Sequence, residues 1–430
     1  MESIVLSVFC ICLFLCIALD WSILVALGIG LMLFLLHGRY KGFAWGQLLK
    51  MGVTGVKTVK NILIAFVLIG MLTALWRDAG TISVIVSYAA ALIHPASFLT
   101  MTFLLNCGVS VLTGTAFGTA ATMGVICATM GMAIGVEPAL VGGAVLGGCY
   151  FGDRCSPVST SALLVSELTE TNIFQNIKNM IGTAAVPFLA TCAGYTGIGL
   201  YIRPQGTAPD LSGIFAREFE LSWVALLPAV VILSLSLLQV GVKKAMAASI
   251  ITALPISLLV QGTSLAELPR LLLMGYQASD AEVAGMLNGG GILSMARVAA
   301  IVSIASSYSG IFRETGLLDG AKGAIEQLTR RTGKYTAILV TSVLASMVAC
   351  NQSLAILLTH QLCQETEPDR EDLALCLEDT AVVVAPLVPW SIAGGVPLAT
   401  VGAPTTSLAF TFFLYLLPLW RLTAGKKGTR

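Results

Sequence analysis

The sequence predicts an all-α membrane protein of roughly eleven to thirteen membrane segments, some too short to cross, in two inverted-topology repeats containing broken helices or re-entrant hairpins. Three observations carry this. Of 430 residues, 56% are hydrophobic and 11% charged, whereas a soluble domain carries about 25% charged residues. Long runs lack any charge: 179–202, 221–242, 245–266 and 380–420, while 98–151 carries only Glu137. Finally, the chain repeats itself.

A chain so poor in charge covers a surface against lipid, not water. Lys+Arg 24 against Asp+Glu 23 gives no basic excess for nucleic acid. The eleven Cys are scattered through apolar stretches with no CxxC pair, and His37, His94 and His360 lie far apart, so no metal centre is expected. No phosphate-binding glycine loop points to direct ATP drive. Neither a paired nucleophile and base nor clustered metal ligands support a membrane enzyme. No bound cofactor is expected.

Residues 1–56 read as an N-terminal helix pair, joined at Asp20-Trp21, with a basic loop. Glu2 stands where a cleaved signal would be basic. Residues 37–61 hold Arg39, Lys41, Lys50, Lys57 and Lys60 without an acid, and the tail holds Arg421, Lys426, Lys427 and Arg430. The positive-inside rule places both, and hence both termini, in the cytoplasm. The acidic loop 365–372 has no cytoplasmic signature.

Residues 57–202 and 285–430 form the two repeats. Trp76-Arg77-Asp78-Ala79-Gly80 returns as Phe312-Arg313-Glu314-Thr315-Gly316. Each half then reaches a break, at Thr113-Gly114-Thr115 and at Cys350-Asn351-Gln352, and later an acid followed by proline. Loop 77–97 has one basic residue and loop 313–334 has five, which predicts opposite membrane faces. Residues 203–284 read as connecting or scaffold helices, on which a homodimer can be built.

The candidate site lies at the breaks. Over 147–161 a glycine-rich helix gives way to Asp153, Arg154, Pro157 and the hydroxyls of Ser156, Ser159, Thr160 and Ser161. Freed backbone groups at membrane depth belong where they line a cavity or bind something. The competing reading is a surface loop with Asp153 and Arg154 paired to each other. Over 376–397 three prolines and two glycines follow Glu378 and Asp379. An ionisable group at the bilayer centre costs at least about 2.5–3.5 kcal/mol, so such residues usually pair or work. Thr113, Thr115 and Asn351 complete the set, with helix packing as the alternative reading of the threonines. Arg297 reads as a snorkelling residue.

These motifs resemble the NhaC-type Na+/H+ antiporters, within the ion transporter superfamily. The resemblance rests on Gly70-Met-Leu-Thr-Ala-Leu-Trp76 with Gly80-Thr81-Ile82, on Thr113-Gly-Thr-Ala-Phe-Gly-Thr119, and on Tyr150-Phe-Gly-Asp-Arg-Cys-Ser-Pro-Val-Ser159 with Leu377-Glu-Asp379 and Pro386-Leu-Val-Pro-Trp390. They run in family order over about residues 60–405. The resemblance implies a secondary carrier of the bacterial cytoplasmic membrane, working by alternating access and exchanging H+ against Na+; some relatives exchange organic acids such as malate and lactate. It implies a site formed by Asp153, Ser156, Glu378 and Asp379 with Thr113 and Thr115 nearby, and Asp153 and Asp379 as Na+ ligands. One departure matters: Thr160 stands where the family carries Asp. One anionic ligand is missing, which makes an organic acid or amino-acid substrate the alternative expectation.

Overall fold

In the computed structural model the described residues are 5, 8–9, 11–12, 15–16, 22–90, 95–157, 159–202, 211–238, 240–315, 321–349 and 351–424. The predicted Asp20-Trp21 joint, Cys350 and the basic tail beyond 424 lie outside them, as do the side chains of Phe312, Arg313 and Glu314.

Helices dominate, and the described residues form only one isolated β-bridge, Tyr276 with Gly289. α1 (Ile23–Tyr40), α2 (Trp45–Thr58), α3 (Lys60–Asp78) and α4 (Thr81–Ala90) open the chain. α5 (Phe98–Thr113), α6 (Ala116–Ala133), α7 (Pro138–Cys155), α8 (Thr160–Thr169) and α9 (Ile173–Ile202) follow. α10 (Leu227–Leu237) and α11 (Val242–Leu259) lie between the two halves in sequence. The second half comprises α12 (Ala296–Thr315), α13 (Ala321–Thr332), α14 (Lys334–Ala349), α15 (Gln352–Cys363), α16 (Arg370–Asp379), α17 (Ala381–Val384), α18 (Ile392–Thr400) and α19 (Phe412–Ala424).

Among the described residues, two helices, α6 and α9, are long and apolar enough to cross a membrane unaided. Two bent pairs reach the same length: Leu63–Asp78 with Thr81–Tyr88, bent by 63°, and Arg370–Leu387 with Ile392–Thr400, bent by 56°. The remaining apolar helices are shorter, as the glycines and prolines at the breaks require. Gly80 turns the first bend with a φ of 72°, a region that costs glycine nothing.

The order of elements repeats. Helix, polar break, helix, then a helix with an acid in its last turn describes both α5–α7 and α14–α16. Both polar breaks cap the next helix: Gly118 N donates to Thr115 Oγ1 at 3.3 Å, and Ser353 N donates to Asn351 Oδ1 at 2.9 Å. Both acidic breaks end in a serine cap, Ser159 for α8 and Ser391 for α18. A side-chain cap satisfies backbone donors that a helix start leaves orphaned, which matters most where water is scarce.

α9 measures roughly 45 Å at 1.5 Å per residue, and it separates two ends of the molecule. Near its last turns Thr196 bonds Thr100 at 2.8 Å, and Ala96 lies against Gly199. Just before its first turn Glu170 pairs with Arg370, and Lys334 pairs with Glu367 at 3.1 Å. Ala96 ends loop 77–97 and Lys334 ends loop 313–334, so the two loops reach opposite ends of this helix. The acidic loop 365–372 shares its end with Lys334.

The first motif packs against residues of the connecting region. Gly70 lets the loop after Tyr276 approach: Gly291 N donates to Gly70 O at 2.9 Å, and a Cβ on Gly70 would lie 2.6 Å from Gly291 O. Trp76 is buried and donates to Ser249 on α11 at 2.9 Å. Asp78 accepts from Ser257 and, at 2.9 Å, from Thr263.

Candidate functional site

α5 and α7 run side by side because α7 carries glycines one turn apart. A Cβ on Gly148 would meet Phe103 O at 2.6 Å, and one on Gly152 would meet the Ser110 carbonyl carbon at 2.3 Å. Ser110 closes the pair by donating to Cys149 O. Small residues permit this approach in a membrane, where close packing rather than hydrophobic collapse holds helices together. The pairing runs parallel, so the Thr113-Gly114-Thr115 break sits beside the end of α7.

That end carries two charged neighbours on different sides. Asp153 and Arg154 lie about 100° apart around the helix, and their partners differ. Asp153, 4% exposed, accepts from Ser159 Oγ at 3.1 Å on Oδ1, and from Ser161 Oγ at 2.7 Å and Gln352 Nε2 at 3.1 Å on Oδ2. Gln352 comes from the other half and also donates to Val382 O at 3.1 Å. Arg154, 0% exposed, pairs with Asp379 and donates to Thr183 Oγ1 at 2.8 Å and Met180 O at 3.0 Å. The expected alternative, an Asp153–Arg154 pair in a surface loop, is therefore not what the chain forms.

Asp379 is 0% exposed. Besides Arg154 it holds Arg421 Nε at 3.1 Å and accepts from Thr183 at 3.1 Å. The two residues expected to bind Na+ thus have different partners. Asp153 keeps neutral donors that can turn their oxygens toward a cation, while guanidiniums from both halves occupy Asp379. Glu378, beside it, is 0% exposed, and neither carboxyl oxygen has a hydrogen-bond partner. Burying an ionised carboxylate without partners is very costly.

The other expected residues take more local roles. Ser156 is buried at the end of α7, and its carbonyl accepts from Ser159 N at 3.2 Å. Thr113 bonds Thr119 across the break at 3.2 Å, and Thr115 and Asn351 are caps. Thr160 is exposed, while Ser159 and Ser161 on either side of it face Asp153. Arg297 is exposed as well.

Sequence reasoning missed Thr183 and the inward role of Arg421, which reads as part of a basic tail. It noted Gln352 but favoured Asn351. A glutamine opening a helix within the membrane was the available signal. The Tyr150 hydroxyl, in the third motif, donates to Ala393 O at 2.8 Å and ties α7 to the start of α18. Trp390 anchors the second break by donating to Met347 O at 2.9 Å.

The family model described as the Na+/H+ antiporter family matches residues 148–423, which contain every one of these buried charges. The chain belongs to that family. It is 29% identical over 399 residues to the Na+/H+ antiporter NhaC of Bacillus subtilis, covering 89% of this chain and 88% of that one. It is 27% identical over 405 residues to NhaC of Alkalihalophilus pseudofirmus, covering 91% and 87%. The malate-2H+/Na+-lactate antiporter of Bacillus subtilis is 26% identical over 416 residues, covering 94% and 87%. This antiporter-family chain is an integral membrane protein and a secondary transporter of the Na+/H+ antiporter type.

Proposed function

We propose that the protein exchanges Na+ for H+ by alternating access, with Asp153 as the cation-binding carboxylate. One observation carries the reading. Asp153 is a nearly fully buried acid whose three side-chain partners are all neutral, and one of them, Gln352, belongs to the opposite half. Hard cations take carboxylate, hydroxyl and carbonyl oxygens, and Ser159, Ser161 and Gln352 offer them. Na+ is here the transported substrate. Motion of one half against the other removes Gln352 and remakes the site toward the other face. Protonation of Asp153 replaces the cation in the return step, because a neutral acid crosses a low-dielectric interior at far lower cost. Glu378, buried without partners, is the second acid available for a proton.

Residues 57–202 and 285–430 form the transport unit in this reading, as inverted repeats. The opposite ends reached by Ala96 and Lys334 along α9 support that topology. The ends bearing Arg39, Lys41, Lys334 and Arg421 face the cytoplasm by their basic content.

A second reading, organic-acid exchange, draws on Arg154 and Arg421, which together hold one carboxylate and match that chemistry. Dequenching of an internal pH dye on Na+ addition to proteoliposomes decides between them. A robust Na+ response establishes the first reading; a response only to malate, lactate or an amino acid establishes the second.

A further inference from the structure

A cavity of about 400 Å³ opens beside the second acidic break, lined among others by Lys334, Tyr335, Glu367, Asp372, Cys376 and Arg421. Two of its lining residues, Tyr335 and Arg421, touch Asp379. Arg421, with its side chain 23% exposed, stands between the cavity and that fully buried carboxylate, with Nε 3.1 Å from Asp379 Oδ2. The guanidinium also lies over the Tyr335 ring, 5.5 Å from its centroid, and reaches Cys376 Sγ at 3.9 Å. Tyr335 touches the same residue from another side, its hydroxyl 3.4 Å from Asp379 O.

We propose that this cavity is the aqueous access route to the transport unit from the end bearing Lys334, and that Arg421 is its charged gate, which holds cations off Asp379. The proposal rests on the buried charges at 153–154 and 378–379 being the transport unit. A cation arriving through the cavity passes Glu367 and Asp372, then meets a guanidinium already seated on Asp379. It gains nothing at Asp379 while Arg421 stays there. The Tyr335 ring, which the guanidinium covers while seated on Asp379, helps to hold it there, since an aromatic ring attracts a cation over its face. Arg421 thereby keeps Asp379 from holding a transported cation. It is a positioning residue that sets selectivity, and it acts through Asp379.

Cys376 is a native reporter, because it lines the cavity with its Sγ 3.9 Å from the Arg421 guanidinium and so senses the charge there. The test uses full-length protein in proteoliposomes and two membrane-impermeant methanethiosulfonates, one ending in trimethylammonium and one in sulfonate. Labelling of Cys376 is followed by peptide mass spectrometry. In the native protein the anionic reagent should label about ten-fold faster than the cationic one. Arg421→Gln should reverse that order and make labelling slow in Na+ relative to choline, because Asp379 then takes the cation. Arg421→Lys, which keeps the charge, should behave as the native protein does. Equal labelling by both reagents in the native protein overturns the gate, and that arm needs no variant. Faster labelling in Arg421→Gln without protection by Na+ also overturns it, leaving Arg421 as packing. If these ratios hold while the native protein shows no Na+-driven proton movement, the sodium reading fails and the gate stands. The reverse pattern defeats the gate alone.

Discussion

At the first acidic break Asp153 sits among neutral donors: Ser159, Ser161 and Gln352. At the second, Asp379 lies between Arg154 and Arg421. Both breaks follow a helix with an acid in its last turn, and both close with a serine cap. The surroundings of the acid make the difference. A carboxylate with neutral donors keeps its charge available for a mobile cation. A carboxylate with two guanidiniums has had its charge cancelled and serves to join the halves. In the proposed reading the two acids thus divide exchange and cohesion between them.

The largest effect is expected where cohesion is broken. Arg154→Gln leaves Asp379 with one guanidinium fewer in a fully buried place. Removing one partner of a buried ion pair costs about 3–5 kcal/mol. Thermal unfolding in detergent should show the loss for Arg154→Gln and for Asp379→Asn alike. The exchanged pair Arg154→Asp with Asp379→Arg should recover part of it. A small shift for either single variant would make the second break as free as the first and erase the contrast.

Asp153→Asn tests the other side. Asn keeps the size and an oxygen acceptor but cannot alternate its charge. Na+-driven dequenching of a pH dye should vanish, while the unfolding midpoint stays close to that of the native protein. A variant that still transports with an unchanged pH profile reduces Asp153 to a structural group.

Next comes the packing that places the first break. Gly152→Ala puts a Cβ 2.3 Å from the Ser110 backbone, and such overpacking costs about 1–3 kcal/mol. Gly182→Ala, exposed on α9 with nothing within 4 Å, should instead stabilise by about 0.5–1 kcal/mol, since glycine is the poorer helix former. The two unfolding midpoints should move in opposite directions.

Helices, breaks and the acids at their mouths were legible because each leaves a one-dimensional mark. A missing charge reads as lipid contact, and glycine or proline in an apolar run reads as an interruption. Asp153 and Ser159 followed from that grammar. Pairing across the halves leaves no such mark. Arg154 stands next to Asp153 in sequence yet reaches Asp379, 225 positions on, because successive residues of a helix point in different directions. Arg421 looks like the start of a basic tail and instead reaches inward to Asp379. Gln352 was overshadowed by Asn351, whose side chain is spent on a cap. The roles of Gly70 and Trp76 also needed the fold, since a motif marks a constraint without saying whether packing or chemistry imposes it.

Thr160→Asp should have the smallest effect, and it sharpens the comparison most finely. The sequence suggests that an acid is missing from the first break and that its return would strengthen Na+ dependence. The structure places Thr160 at the first residue of α8, exposed, with the Asp153 contacts made by its neighbours on either side. An acid there meets the positive end of the helix and stabilises it by about 0.3–1 kcal/mol. It adds no ligand to Asp153 unless α8 turns. The half-saturating Na+ concentration should therefore change less than about three-fold, a shift of under about 1 kcal/mol, while the unfolding midpoint rises slightly. A ten-fold gain in apparent Na+ affinity would show that residue 160 joins Asp153 in another state of the cycle. The first break would then rearrange more deeply than the second, which its two guanidiniums hold in place.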